Sequence, residues 1–439
     1  MSDPQHPRIE VLPPQDLLLA YDINICAPMV RYSKRAFRTT CARYDTQWTT
    51  TPMIVAKEFS RSALAREADF STSASERGLF EPVADRPQRD SESREHDDGS
   101  SLLDLGPEER KERKRRALIA TRTQWTRPYD PSQTKDTPPR LLRGILIGQL
   151  AASDSKTLSD GAEILANHVD GLDLNCGCPT SSAYADHIGS YLLRQPHLVA
   201  DMVRTLKQRL GWSYPVSVKI RLDPELSRTE VLVRNAIEAG ASVLSVHGRT
   251  RMQSSASHPV DLDGVAFAMD VARRAGSRTA CGATSTMYSL RSTDDEDKDE
   301  DAGLAHSGLA DGGGGAGGPI PCVANGDVFT LAEAHEWRRK TGAQGIMSAR
   351  GLLANPALFA GFDSTPQEAV QHFCTEALRG GNLPFQHFHR HVAYMLESAL
   401  PRSDSLYFNS LSSSAAVMDW LQDEGWWQPR QPQHERWKG

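Results

Sequence analysis

Short apolar runs alternate along the chain with longer stretches whose apolar residues recur at helical spacing. The strand-like runs are YDINICAPM (21–29), PMIVAKEF (52–59), LLRGILIGQL (141–150), GLDLN (171–175), PVSVKIRL (215–222), ASVLSVHGRT (241–250), PIPCVANGD (319–327) and AQGIMS (343–348). Helical spacing holds over SKRAFRTTCARY (33–44), a short segment at 62–69, KTLSDGAEILANHV (156–169), HLVADMVRTLKQRL (197–210), RTEVLVRNAIEAG (228–240) and LAEAHEWRRKTG (331–342). Ser33 is the expected N-cap of the first of these helices, and Gly240 closes the one at 228–240. Eight strand–helix units in this order predict an α/β fold, a (β/α)8 TIM barrel over residues 21–360. No GxGxxG follows any strand, which disfavours a doubly wound dinucleotide fold. Residues 361–439 read as an appended helical domain, and residues 1–20 as a polar lead-in. The pattern collapses over about 73–140 and 276–318, which are expected to be disordered insertions.

Composition changes this picture in three places. Hydrophobic residues make up 39% of the 439, a low share that agrees with part of the chain lying outside a core. The net charge of −6 argues against a nucleic-acid partner only until DDEDKDED (294–301) is noticed. That run holds seven acids against one lysine, so the remainder is close to neutral. The basic run PEERKERKRR (107–116) reads as a solvated charged face, with RNA contact or a localisation signal as the alternatives. Seven cysteines without framework spacing point to a reducing compartment, cytosolic or also nuclear. No apolar window of about 18 residues predicts a membrane span, and the first twenty residues lack a signal-peptide pattern.

In a barrel of this kind the reactive groups stand at the C-terminal strand ends. Those ends here are Met29 (after Ala27 and Pro28), Gln149, Asn175 with Cys178, Lys219, His247, Asn325 with Gly326 and Asp327, and Ala349 with Arg350. Each has a plain structural reading: a surface lysine, a bonded histidine, a buried thiol, an ordinary helix start. Together they describe a polar pocket for a planar, hydrogen-bonding ligand with an anionic tail. SARGLLANP (348–356) suits the tail, through Gly351 and the N–H groups of a short helix. Lys219 suits a ring that becomes anionic on two-electron reduction, so the set suggests FMN. The thiols of NCGCP are too few for a metal, and Cys281 and Cys322 add no pair spacing, so no metal is expected.

APMVRYSKRAFR, LDLNCGCP, VKIRL, VHGRTR, VANGD and SARGLLANPALFAG together resemble the tRNA-dihydrouridine synthases. TPMIVAKEF, NCGCP, FHRHVAYMLE and FNSLSS look most like the eukaryotic branch acting at positions 20a and 20b of tRNA. The resemblance covers about 21–72, 141–275 and 319–426. It implies an FMN barrel in which Ala27, Pro28, Met29, Gln149, Lys219, His247, Asn325, Gly326, Asp327, Ala349 and Arg350 contact the flavin. Cys178 is then the catalytic cysteine, Asn175 holds the target uracil, and Arg249 and Arg251 contact RNA. NADPH or NADH reduces the flavin, hydride passes to C6 of uracil, and Cys178 protonates C5. Ordinary thiols are largely protonated at neutral pH, the form a proton donor needs. The C-terminal helices would add tRNA affinity. FQHFHRHVAYML, with His387, His389, Arg390 and His391, reads either as an RNA contact or as an ordinary amphipathic helix. A monomer is expected. The chain departs from the family pattern at TSSAYADHIGSYLL (180–193), where relatives have a Gly-rich segment and this sequence has bulky Tyr184, His187 and Tyr191. Two competing readings are an FMN barrel that reduces or oxidises a small molecule and a catalytically silent tRNA-binding scaffold.

Overall fold

A computed structural model describes residues 7–83, 125–129, 140–282, 319–380 and 383–428. Eight parallel strands close on themselves as predicted. They are β1 (Ile23–Cys26), β2 (Trp48–Thr50), β3 (Ile145–Ala151), β4 (Gly171–Cys176), β5 (Val216–Arg221), β6 (Val243–His247), β7 (Cys322–Gly326) and β8 (Gly345–Ser348). Each pairs with the next, and β8 returns to β1 with Gly345 opposite Ile23. Helices Arg35–Cys41, Ser155–Leu165, Pro196–Leu210, Leu226–Glu238, Leu262–Gly282 and Leu331–Thr341 form the outer layer.

The two-residue period of the strands sorts their side chains. Leu172, Leu174, Val216, Val218, Ile220 and Val246 point outward into the helical layer. Ile23, Ile25, Trp48, Ile145, Ile147, Val243 and Val323 fill the lumen. Leu17 and Leu18, both fully buried, close the N-terminal end from helix Pro14–Ala20. The expected polar lead-in is therefore structured there, because an apolar barrel end has to be covered.

Three further expectations are corrected. The strand expected at 52–59 is split: β2 ends at Thr50, and Ile54–Val55 pairs with the end of β3 before helix Ala56–Arg61 begins. Pro52 has no N–H for the ladder, and Ala56 and Phe59, one helical turn apart, bury together. Ser33 caps no helix. Its Oγ instead accepts from the Met29 N–H at 2.9 Å and donates to the Met29 carbonyl at 3.2 Å, locking the turn after β1. The insertion expected over 73–140 is ordered at both edges. Leu79–Val83, Trp125–Pro128 and Arg140–Arg143 form a four-stranded sheet with Arg8–Glu10. Glu76, itself buried, anchors that edge by accepting from Arg38 Nε at 2.6 Å. The basic run at 107–116 and the acidic run at 294–301 lie outside the described residues.

Among the described residues four α-helices follow the barrel, Gln367–Gly380, Phe385–Leu396, Arg402–Ser410 and Ser414–Asp423. Phe373, Phe388, Val392, Phe408 and Leu421 form their buried face. His391, with no exposed surface, donates from Nε2 to the Tyr32 carbonyl at 3.0 Å and fastens this domain to the loop after β1. His389 stacks on Phe408 with ring centres 4.9 Å apart. These two histidines are packing residues of an amphipathic helix.

Candidate active site

The lumen positions change character along each strand. On β3, β4, β5, β6 and β7 the apolar inward residues give way to Gln149, Asp173 and Asn175, Ser217 and Lys219, Ser245 and His247, and Asn325. Register brings them to one level: Lys219 lies opposite Asn175 and Ser245, and His247 opposite Arg221 and Asn325. The predicted strand-end residues are thus gathered at one end of the barrel.

A continuous hydrogen-bond relay holds the cysteine. Ser217 Oγ donates to Asp173 Oδ1 at 2.6 Å, and Gln149 Nε2 donates to Asp173 Oδ2 at 2.8 Å. Asn175 Nδ2 donates to Gln149 Oε1 at 2.7 Å. Asn175 Oδ1 in turn accepts from the N–H groups of Gly177 and Cys178, at 3.0 and 2.9 Å. The amide of Asn175 therefore fixes the turn that carries the thiol. Cys178 remains partly exposed, with Sγ 3.4 Å from Thr180 Oγ1. Arg221 straps the same turn to the loop after β6, donating to the carbonyls of Gly177 and Thr250 at 3.0 Å each. Burial raises the pKa of Asp173, against opposing hydrogen bonds from Gln149 and Ser217 and the charge of Lys219.

Positive charge dominates the other side of the site. Lys219 has no hydrogen-bond partner among the described residues, and burial, with help from Arg221, pushes its ammonium down to about 8. His247 is held neutral by burial and by the nearby charges of Lys219, Arg221, Arg249 and Arg350. Its Nδ1 is buried without a partner, an unusual state for a buried ring nitrogen. Arg249 is 2% exposed; its guanidinium pairs with both carboxylate oxygens of Asp327, and its Nε donates to the His258 carbonyl at 2.7 Å. Asp327 also receives Arg350, whose Nη1 reaches Ser255 Oγ at 2.8 Å. Burial alone would raise the Asp327 pKa, but Arg249 and Arg350 bring it below the usual carboxylate range.

This arrangement redistributes several expected roles. Ala27 is buried at the end of β1, with its N–H on the Ser348 carbonyl at 3.0 Å, and Pro28 and Met29 are half-buried beside it. Asn325 is 3% exposed and spends its Nδ2 on the Met347 carbonyl at 2.9 Å, so it supports β8. Gly326 packs under Trp337, where a Cβ would come within 2.4 Å of the indole. Ala349 precedes helix Arg350–Ala354, which is only five residues long, so its dipole is small. Arg249 faces inward and is not presented to a large partner, whereas Arg251 is only partly buried. Asp173, Ser217 and Arg221 were missed, as was Thr51, whose Oγ1 accepts from the Gln149 N–H at 2.9 Å. The alternation itself marked two of them, since Asp173 and Ser217 stand two residues before Asn175 and Lys219, on the same face.

Unmatched positive charge, an orphaned ring nitrogen and a held thiol fit an anionic, hydrogen-bonding ligand above the lumen. Among the described residues no three His, Cys, Asp or Glu side chains converge as a metal site, and no helix is long and apolar enough to cross a membrane.

Comparison with known proteins bears on the same residues. A model of the dihydrouridine synthase (Dus) family matches residues 25–84, 117–268 and 317–408. The Mus musculus protein named tRNA-dihydrouridine(20a/20b) synthase (NAD(P)+)-like is 32% identical over 402 residues, covering 91% of this chain and 88% of that one. The Schizosaccharomyces pombe tRNA-dihydrouridine(20a/20b) synthase (NAD(P)+) is 30% identical over 401 residues, covering 91% and 87%. Among solved structures, DHODH in complex with ferulenol from Eimeria tenella covers 82% of this chain and 83% of its own at 11% identity; its TM-score is 0.37, too low to carry an argument. The matched segments take in seven barrel strands whole, β1 from Ile25 onward, and the residues that hold Cys178, and the chain belongs to the dihydrouridine synthase family.

Proposed function

We propose that this chain is a flavin-dependent tRNA-dihydrouridine synthase that uses NADPH or NADH to reduce the C5–C6 double bond of D-loop uridines at positions 20a and 20b. The observation that carries this reading is the Cys178 thiol, fixed by the relay from Ser217 through Asp173, Gln149 and Asn175, at the rim of a positively charged barrel end. The names of the relatives support the substrate and the nicotinamide donor.

FMN fits the residues present. The orphaned Nδ1 of His247, the unpaired Lys219 and the turn at Ala27, Pro28 and Met29 would hold its ring, and Arg350 its phosphate. Gln149 and Asn325, already committed within the protein, would brace the site. Asp327 would hold Arg249 and Arg350 in place, since a carboxylate beside a phosphate would repel it. Bound and reduced, the flavin would supply the hydride for C6 of uracil. Cys178 would give its thiol proton to C5 and regain one from solvent, with Thr180 within reach of Sγ. The uridine has to leave its stack to reach this site, at a cost of a few kcal/mol. Arg251, at the rim, is placed to meet the RNA, and Arg249 is not. No disulfide joins the six cysteines among the described residues, and the proposed compartment is the cytosol or nucleus.

The test is anaerobic. Purified protein is expected to be yellow and to bleach with NADPH or NADH. Added tRNA lacking dihydrouridine is expected to restore the colour, one equivalent of reducible uridine per flavin. Bleaching without recovery on tRNA would favour the small-molecule reductase, and a colourless protein would favour the silent scaffold.

A further inference from the structure

The segment behind Cys178 carries three aromatic rings near the surface, of which Tyr191 also packs against the core. Tyr184 is 38% exposed, His187 is exposed and Tyr191 half-buried. They form an ordered ladder. His187 stacks on Tyr191 with ring centres 4.4 Å apart and planes 20° from parallel, and Tyr191 meets Tyr184 edge-on at 5.5 Å. The Arg251 guanidinium, from the loop after β6, lies 3.6 Å from the centre of the Tyr184 ring. Arg251 has no carboxylate partner among the described residues, and its Nε is without a hydrogen bond. Its neighbour Met252 is 79% exposed. His187 adopts φ 58°, which an ordinary side chain takes up only at a cost, so a glycine would suit that position better for folding alone. The ladder is tied to the thiol: Ser190 N–H donates to the Cys178 carbonyl at 3.0 Å, and Gly189 lies against Cys178.

Rings near the surface, with a guanidinium laid across one of them that touches the Met252 sulfur but, among the described residues, no carboxylate, are a poor solution for packing and a good one for a nucleobase, whose faces are flat and whose backbone is anionic. We propose that Arg251, Tyr184, Tyr191 and His187 form a stacking site for one base adjacent to the uridine being reduced. This rests on the tRNA reading above. When the uridine is drawn into the barrel its neighbour loses a stacking partner, and the ladder replaces it while Arg251 faces the phosphate of the same nucleotide. The ladder would then help to choose which uridine enters.

The experiment uses the full-length, flavin-loaded protein and tRNA carrying a single 2-aminopurine on one or the other side of the target uridine. With wild type, fluorescence is expected to be quenched at one of the two positions on binding. In Tyr184→Leu, which keeps an apolar side chain but not the ring, that quenching is lost, and KM for tRNA rises roughly ten-fold with kcat little changed. Tyr184→Phe retains both, and flavin reduction by NADPH is the same in all three. Quenching and KM identical in wild type and a folded Tyr184→Leu would overturn the ladder alone. Failure of wild type to turn over tRNA at all, with normal flavin reduction, would overturn the tRNA reading and the ladder with it.

Discussion

Lys219 and Asn175 face each other across β4 and β5 and do opposite things. Asn175 is fully engaged with Gln149 and the cysteine turn, while Lys219 is held without a partner in a place that disfavours its charge. The Lys219 ammonium titrates at about 8 when folded, against 10.5 ordinarily. Between these values the unfolded chain holds a proton that the folded one lacks, so ligand-free stability falls as pH drops from 10.5 through 8. At pH 7 that loss is complete, on the order of 3 kcal/mol. Lys219→Met is therefore expected to melt higher than wild type without flavin at pH 7 and to bind FMN at least ten-fold more weakly; calorimetry and flavin titration check both. Gln149→Leu leaves Asp173 and Asn175 short of partners in a buried site. It should cost about 1–3 kcal/mol in urea unfolding and slow flavin reoxidation by tRNA while leaving reduction by NADPH intact. The strand tips were legible in the sequence because polar residues ended apolar runs. The burial of Arg249 was not, because the carboxylate that holds it, Asp327, lies 78 residues away.

At the scale of elements, the cysteine turn depends on what packs behind it. Gly189 has φ 64°, and a Cβ there would stand 2.8 Å from the Cys178 Cβ and 2.9 Å from its carbonyl oxygen. Gly189→Ala should fold, bind and reduce its flavin, and lose at least ten-fold in dihydrouridine formation, because the added methyl displaces the thiol. The helix Phe385–Leu396 gives a pH-dependent counterpart. Burial lowers the His391 pKa to about 3, with His387 adding to the effect and the bond to the Tyr32 carbonyl opposing it. Unfolded, the same ring protonates near 6.5, so stability is lost as pH falls from 6.5 toward 3, by about 3 kcal/mol at pH 4. Thermal unfolding between pH 7 and 4 should show that decline, and His391→Phe should flatten it. Most barrel strands and the helices between them were legible from periodicity. The split strand at 52–59 was not, since a proline inside a short apolar run reads equally as a strand entrance. The edge sheet was hidden for a different reason: its strands, Arg8–Glu10, Leu79–Val83, Trp125–Pro128 and Arg140–Arg143, are short and far apart in the chain.

For the whole molecule, net charge misleads and placement decides. The chain carries −6, yet Lys219, Arg221, Arg249 and Arg350 gather at one barrel end with Arg251 at its rim. Of these cations Arg251 is the one presented to a large partner, so affinity for tRNA should fall with added salt, in a filter-binding or fluorescence titration from about 50 to 200 mM, because counterions released from phosphate gain less entropy in more concentrated salt. A flat response would contradict an electrostatic docking face. The central claim is that Cys178 delivers a proton to uracil in tRNA, and it is tested most directly by mapping dihydrouridine by mass spectrometry. The tRNA would come from cells lacking this protein, complemented with wild type or with Cys178→Ala. Loss of dihydrouridine at positions 20a and 20b, restored by wild type and not by Cys178→Ala, is the expected result. Unchanged dihydrouridine at every position in the deficient cells would contradict it.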